Sequence, residues 1–462
     1  MTILVVGGSD AGITAGLRAR QLDPTSDVHL IVADDYPNFS ICGIPYHVSG
    51  EVPDWRSLAH RTTDDLTNAG LQLHLSERAV AVDVDAHTVS TLKGAGEIRA
   101  IGYDRLIIAT GAAPNKPPIT GLDHLGTNDG VHLLHTMADT FAVTQTLDRG
   151  ARSAVIVGAG YIGLEMAEAL RHRGLQVTVV EQLAQVLQRT LDPQLAALIH
   201  AELERNGVTV ACNTAVAAVE KSGTRLRVHT GPADQEPGGT DQTLTADLVL
   251  VVTGVRPDTQ LAVDAGAKIG SGGALAVDTG MRTNLPDVYA AGDCVHTHHR
   301  LLDHPTYVPL GTTAHKQGRV AGENAVGGTA TYAGSLGTQV VRIFDLVAAA
   351  TGLRDEQATA AGYRPFTAAA QADDHKTYYP GATPITQHIT GDTVTGKLLG
   401  AQLVGHLQGQ VSKRIDILAT TIFYGGTVDD IPELDLSYTP PLGSPYDAIQ
   451  NAALAWLDTQ RH

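Results

Sequence analysis

Ile3-Leu4-Val5-Val6 is an unbroken apolar run that stops at Gly7-Gly8, gives way to an Ala-rich stretch with helical spacing, and is followed by a second apolar run leading to Asp34. The same succession recurs from Ala154 to Val157, through the Gly158 turn and another Ala-rich stretch, to Glu181. Short continuous apolar runs predict strands covered on both faces, and a glycine turn feeding a helix predicts a parallel βαβ unit. Tyr103 to Gly111 predicts a further buried strand, after which Pro114, Pro117 and Pro118 mark a crossing between domains. Leu248 to Val252 repeats that pattern, stopping at Thr253-Gly254 with Pro257 just beyond. The two Thr-Gly stops bracket the second unit, so it reads as an insertion into the first. The first unit then resumes through Tyr289-Ala290-Ala291-Gly292-Asp293 and a helix from about Thr313 to Ala325. Gly231 to Thr243 predicts a hairpin loop, and beyond about Thr331 the glycine-turn style ends. The expected division is 1–111 with 255–330, then 112–254 inserted, then 331–462. The expected fold is α/β, with two doubly wound dinucleotide-binding domains and a C-terminal α+β domain.

Composition narrows the function classes. The 462 residues exceed one ordinary domain, and 43% hydrophobic with 18% charged residues describes a globular chain with ample core. Aromatics make up only 4%, so that core must rest on Ala, Val, Leu and Ile. A formal net charge of −17 argues against nucleic acid as partner. Three cysteines, 42, 212 and 294, are too few for a disulfide framework, and their spacing matches neither a thioredoxin-like pair nor a zinc knuckle. No signal peptide or membrane helix is expected, which points to the cytoplasm.

Gly158-Ala159-Gly160-Tyr161-Ile162-Gly163 fits G-x-G-x-x-G between strand and helix, a Rossmann-type arrangement. Its first glycine permits the turn, the second lets a pyrophosphate approach, and the third lets helix and strand pack closely. Glu181, at the end of the next strand, is placed to accept from a ribose 2′-hydroxyl. That favours NADH over NADPH, although Arg189 offers an alternative that would accept a 2′-phosphate. The first turn, Gly7-Gly8-Ser9-Asp10-Ala11-Gly12, has Ser9 at its second glycine position. Asp34, with Asp35 as fallback, is placed for a second ribose. Asp293 ends its strand at the carboxyl edge, where open α/β sheets bind ligands.

These motifs, with the Ala109-Thr110-Gly111 stop and Gly254, together resemble the two-dinucleotide flavoprotein reductases, and the resemblance covers essentially the whole chain. It implies FAD on the first domain, with the carboxylate of Asp293 on the ribityl chain, and NADH or NADPH on the second. Phe39-Ser40-Ile41-Cys42-Gly43-Ile44-Pro45-Tyr46 resembles the single-cysteine branch of the pyridine nucleotide–disulfide oxidoreductases: coenzyme A-disulfide reductases, NADH oxidases and NADH peroxidases. Two-cysteine relatives carry a partner where His47 stands, so Cys42 is expected to cycle as a mixed disulfide or a sulfenic acid. The segment Val308 to Gly322 resembles the helix that faces the flavin, with His315 where Asn is usual. Phe344-Asp345-Leu346 and Tyr438-Thr439-Pro440-Pro441 resemble the C-terminal interface domain, which implies a homodimer with Tyr438, and by extension Tyr378 and Tyr379, reaching a partner's cysteine. Tyr161 resembles the gate residue over the flavin, and Glu165 stands one turn on.

Two departures keep the acceptor open. Asp10 stands where peroxidases have histidine, and Ile41 replaces the asparagine usual before the cysteine. Arg18, Arg20 and Arg61 are candidates for coenzyme A phosphates or simply a solvated face. His47 is a candidate acid or thiolate partner, or an ordinary histidine. The cluster His296, His298, His299 and His304 matches no common zinc spacing, so no metal is expected. The reading is an enzyme passing electrons from NAD(P)H through FAD and Cys42 to a small disulfide such as coenzyme A disulfide. The alternatives are an NAD(P)H oxidase reducing O₂, and a flavin redox sensor or electron carrier.

Overall fold

The computed structural model describes residues 1–94, 96–234 and 242–460. The expected α/β architecture is present. Thr2–Val6, buried almost throughout, is the central strand of a five-stranded parallel sheet. Asp27–Ile31 and then Leu71–His74 lie on one side of it, Arg105–Ile108 and then Val288–Ala290 on the other. The last of these strands therefore comes from beyond the second nucleotide unit.

Ser153–Val157, wholly buried, is the middle of a second five-stranded parallel sheet. Gln176–Val180 and Val208–Ala211 follow on one side, Leu248–Val251 and Val131–His132 on the other. Where the chain enters and leaves this part, Ala112–Pro114 and Val255–Pro257 pair as an antiparallel ribbon. Arg225–Pro232 and Gln242–Ala246 also pair antiparallel, while the tip of the loop expected between them, 235–241, lies outside the described residues.

The C-terminal part is a five-stranded antiparallel sheet in the order Gln339–Ile343, Leu346–Gly352, Leu398–His406, Pro384–Asp392, Pro365–Asp373. The helices Val411–Phe423 and Ala448–Gln460 pack on it, and Trp456 donates its indole N–H to the Phe366 carbonyl at 2.8 Å. This largely aliphatic core buries the Trp456 ring, with Phe366 and Tyr363 packed at its margin.

Two contacts set the positions of the site. The helices Asp10–Leu22 and Gly311–Ala325 cross so closely that a Cβ on Gly318 or Gly322 would run into the backbone of Ala11 or Ala15. Both helices then start beside the first glycine turn. The short helix Ile44–Ser49 buries Ile44 and Val48 in the core that also holds Leu164 of the second unit and Val341 and Ile343 of the C-terminal sheet. One apolar cluster thus joins all three parts directly behind Cys42. No helix among the described residues is long and apolar enough to cross a membrane.

Candidate functional site

Cys42 lies in a single 3-10 turn, Ile41–Gly43, that runs into the helix Ile44–Ser49 with Pro45 in its first turn. As a residue it is exposed, although its thiol is partly desolvated by the surrounding protein. The preceding loop is held to the first glycine turn by the Asn38 N–H, which donates to the Gly8 carbonyl at 2.7 Å. Tyr36, Phe39, Trp55 and Phe141 form an aromatic box beneath that loop, with ring centroids 5.1–5.7 Å apart. Edge-to-face contacts of this kind stiffen a segment that has little regular structure. In a chain with few aromatics, Tyr36, Phe39 and Trp55 flanking Cys42 in sequence are a legible sign of this box.

The two glycine turns share one geometry. Gly7 has φ +127° and Gly158 φ +111°, conformations that L side chains rarely adopt. A Cβ on Gly12 would meet the Gly7 carbonyl, and one on Gly163 the Gly158 carbonyl, so each helix packs against its own turn. Gly160, by contrast, faces open space, the room a pyrophosphate needs. Ser9 caps the first helix with extended backbone and no side-chain bond to it. The Glu181 carboxylate is buried and accepts from Ala159 N–H at 2.7 Å and Leu183 N–H at 2.9 Å. It therefore braces the glycine turn. In the first unit Asp34 accepts from Tyr36 N–H at 2.9 Å and Asp35 from the Ser76 hydroxyl at 2.7 Å.

Asp293 follows Gly292, which has φ +88°, just past the strand Val288–Ala290. One of its carboxylate oxygens is buried without a partner, and burial followed by repulsion from Asp10 pushes the group up to about 6. An orphaned buried acceptor costs free energy and calls for a donor. A ligand hydroxyl, such as those of a ribityl chain, supplies one. This orphan, with the two cradles that any added Cβ would fill, fits FAD at the first turn and a pyridine nucleotide at the second.

The charges around Cys42 are anionic. Burial first, then Glu165, Asp10 and Asp293, raise its thiol pKa. Glu165 is itself pushed up to about 7, by desolvation and then by Glu168. Burial raises Tyr46 and Tyr161 to about 12 each. Asp10 meets His315, its Oδ1 3.4 Å from the ring Nε2, while Thr14 Oγ1 lies 2.8 Å from Nδ1. His47 is occupied by its own loop, with Nδ1 2.8 Å from the Val52 carbonyl.

Other candidates fall farther out. Tyr438 and Tyr378 are exposed and bond to each other, and Tyr379 beside them is exposed too. Arg18 pairs with Glu323, and Arg20 donates to the carbonyls of Pro24 and Ser26. Both are thereby committed within the chain, while Arg61 makes only a 3.4 Å contact to Asn38. His296 and His304 turn toward backbone carbonyls, and His299 bonds the Leu301 N–H. Among the described residues, ligand atoms close enough for a metal converge only at Glu51, Glu168 and His172, and there Arg342 already pairs with both acids. That junction has no motif in the sequence. Its one trace was Arg342, charged, between the buried Val341 and Ile343.

Residues 1–318 match the sequence profile of the pyridine nucleotide-disulphide oxidoreductases, and residues 338–448 that of their dimerisation domain. The chain belongs to this family. It is 33% identical to the NAD(P)H sulfur oxidoreductase (CoA-dependent) of Pyrococcus furiosus, over 97% of both chains. It is 32% identical to an NADH oxidase of Methanocaldococcus jannaschii, over 98% of both. Its structure superposes on an NAD-dependent persulfide reductase from A. fulgidus with TM-score 0.93 and 35% identity, covering 100% of this chain and 84% of that one. An oxidoreductase site with two nucleotide cradles is thus supported by sequence, geometry and relatives alike.

Proposed function

We propose that this protein is a cytoplasmic, homodimeric, FAD-dependent NAD(P)H oxidoreductase that reduces a low-molecular-weight disulfide, with coenzyme A disulfide or a persulfide of the same thiol as the substrate class. The observation that carries the reading is Cys42: a lone, exposed cysteine in a rigid turn, backed by all three parts of the chain and tied to the first glycine turn. Gly7 to Gly12, Asp34 and Asp293 would hold FAD, with Ala109 to Gly111 closing its edge. Gly158 to Gly163 and Glu181 would hold the nicotinamide nucleotide, with Gly254 at the neighbouring strand end. The flavin, when bound, supplies the two-electron link between the nicotinamide and sulfur.

The chain's own residues account for the rest. Cys42, as thiolate, attacks one sulfur of the disulfide; that S–S bond breaks, a mixed disulfide forms on Cys42, and one thiolate leaves. Two electrons drawn from NAD(P)H then break the mixed disulfide, releasing the second thiol and restoring Cys42. Burial and then the anionic surroundings disfavour the thiolate, so a proton leaves the Cys42 thiol as the attack begins. Tyr438, exposed on the dimerisation domain, would serve the partner's site, and His47 would order the turn that carries the sulfur. The domain division is 1–111 with 255–330, 112–254 and 331–462.

Consumption of NADH and NADPH, measured anaerobically and in air, with and without coenzyme A disulfide, tests this reading. Anaerobic consumption that depends on the disulfide is expected. Rapid consumption in air that ignores the disulfide would instead establish the oxidase, as in the M. jannaschii relative. Glu181→Ala is expected to weaken NADH binding and shift the NADH/NADPH preference by roughly tenfold toward NADPH. The ratio of kcat/KM values for the two nucleotides checks this.

A further inference from the structure

Arg342, on the C-terminal sheet, touches groups from both other parts of the chain at the junction behind Cys42, where His172 also meets Glu51 and Phe344. Its guanidinium lies 2.6 Å from Glu51 Oε1, just past the Cys42 helix, and 2.9 Å from Glu168 Oε1, on the helix Tyr161–His172. It also covers the Tyr46 ring, with Cζ 5.1 Å from the centroid. Glu168 is buried, and its other oxygen accepts from the Phe344 N–H at 2.7 Å, which fixes the carboxylate on the C-terminal sheet. Tyr46 in turn places its hydroxyl 3.5 Å from Glu165 Oε1. Glu168 is buried here while Arg342 and Glu51 reach solvent, so the charges interact most strongly at the Glu168 end of the junction.

We infer that Arg342 is a positioning residue: by pairing with Glu168 and holding Tyr46 against Glu165, it governs the charge of Glu165 and through it the reactivity of Cys42. This rests on Cys42 being the reacting sulfur but not on any particular acceptor. The groups around Glu165 are Tyr161 and Glu168 on its own helix, with His172 farther along it 3.6 Å from Glu51, then Tyr46 and Glu51 from the Cys42 segment, Cys42 itself, and Arg342 from the C-terminal sheet. Glu168 opposes ionisation of Glu165, and Arg342 and Tyr46 favour it. Ionised Glu165 then raises the Cys42 thiol, together with Asp10 and Asp293. Removing the guanidinium should keep Glu165 protonated to higher pH and lift one negative charge from the sulfur. Removing the Glu168 charge should do the opposite.

The test is the rate at which iodoacetamide alkylates Cys42 in the FAD-loaded dimer, followed across pH by mass spectrometry of the Cys42 peptide. Just above the titration of Glu165, Arg342→Met is expected to react faster than the parent by roughly threefold or more, and Arg342→Lys about as the parent does. Just below it, Glu168→Gln, which keeps a carbonyl for the Phe344 N–H, is expected to react more slowly. In a Glu165→Gln background neither change should alter the profile. Arg342→Met and Glu168→Gln shifting the rate the same way, or Arg342→Met acting equally without Glu165, would overturn the inference. The second result would show that Arg342 merely holds the helix. Should Arg342→Met fail to fold, Glu168→Gln with and without Glu165 decides the matter alone. If disulfide turnover were absent but these alkylation shifts were present, the functional reading would fail and this inference would stand.

Discussion

Cys42→Ser is expected to lower disulfide-dependent NAD(P)H consumption by roughly 10³-fold or more, because a serine hydroxyl neither attacks a disulfide nor stores electrons as sulfur does. FAD content and anaerobic reduction of the flavin by NADH should survive. Ser is close to Cys in size, Cys42 is an exposed residue, and its turn is held by Asn38, Pro45 and the aromatic box. Stability should therefore change by only about 0.5 kcal/mol. Stopped-flow reduction and steady-state turnover on the same preparation separate the two halves of the reaction. Turnover that persists with both halves intact would remove Cys42 from the pathway.

Asp293 gives the second large effect, with opposite signs in the absence and presence of FAD. In the folded chain without FAD its pKa rises from the ordinary 3.8 to about 6. The stability that comes from holding this proton is complete below 3.8 and is lost as pH rises through 6. Above that, the folded protein carries a buried charge with an unpartnered oxygen, at a cost of up to about 3 kcal/mol. Asp293→Asn in FAD-free protein should recover much of this above pH 6 and show no gain below 3.8, which urea unfolding across pH would reveal. Asp293→Ala should weaken FAD retention by roughly 10- to 100-fold, since it removes the acceptor offered to a ligand hydroxyl. Fluorescence of FAD released during ultrafiltration measures that loss. The pair of outcomes distinguishes a ligand-binding carboxylate from a structural one.

Much of this arrangement was legible in the sequence because it depends on backbone. The two strand–glycine–helix units could be found because Gly7 and Gly158 need positive φ and Gly12 and Gly163 need the absence of a Cβ. The continuous apolar runs at Ile3 and Ala154 identified strands buried on both faces, and those strands lie at the centres of the two parallel sheets. The Arg342 junction was not legible. Its residues stand at 46, 51, 165, 168 and 342, with no spacing that links them in the sequence, and only the packing of three parts of the chain brings them together. The Asp10–His315 contact was hidden for the same reason, since it needs the crossing that Gly318 and Gly322 permit. Nor could sequence show that Glu181 braces its own glycine turn, because the bond to Ala159 N–H depends on how the turn folds back.

The most direct test of the central claim is to trap the intermediate. Protein reduced anaerobically with NADH, mixed with coenzyme A disulfide and quenched in acid, should yield a peptide in which Cys42 carries one coenzyme A in disulfide linkage. The peptides containing Cys212 and Cys294 should be unmodified. Turnover of the disulfide with no adduct on Cys42 at any time point would contradict the account.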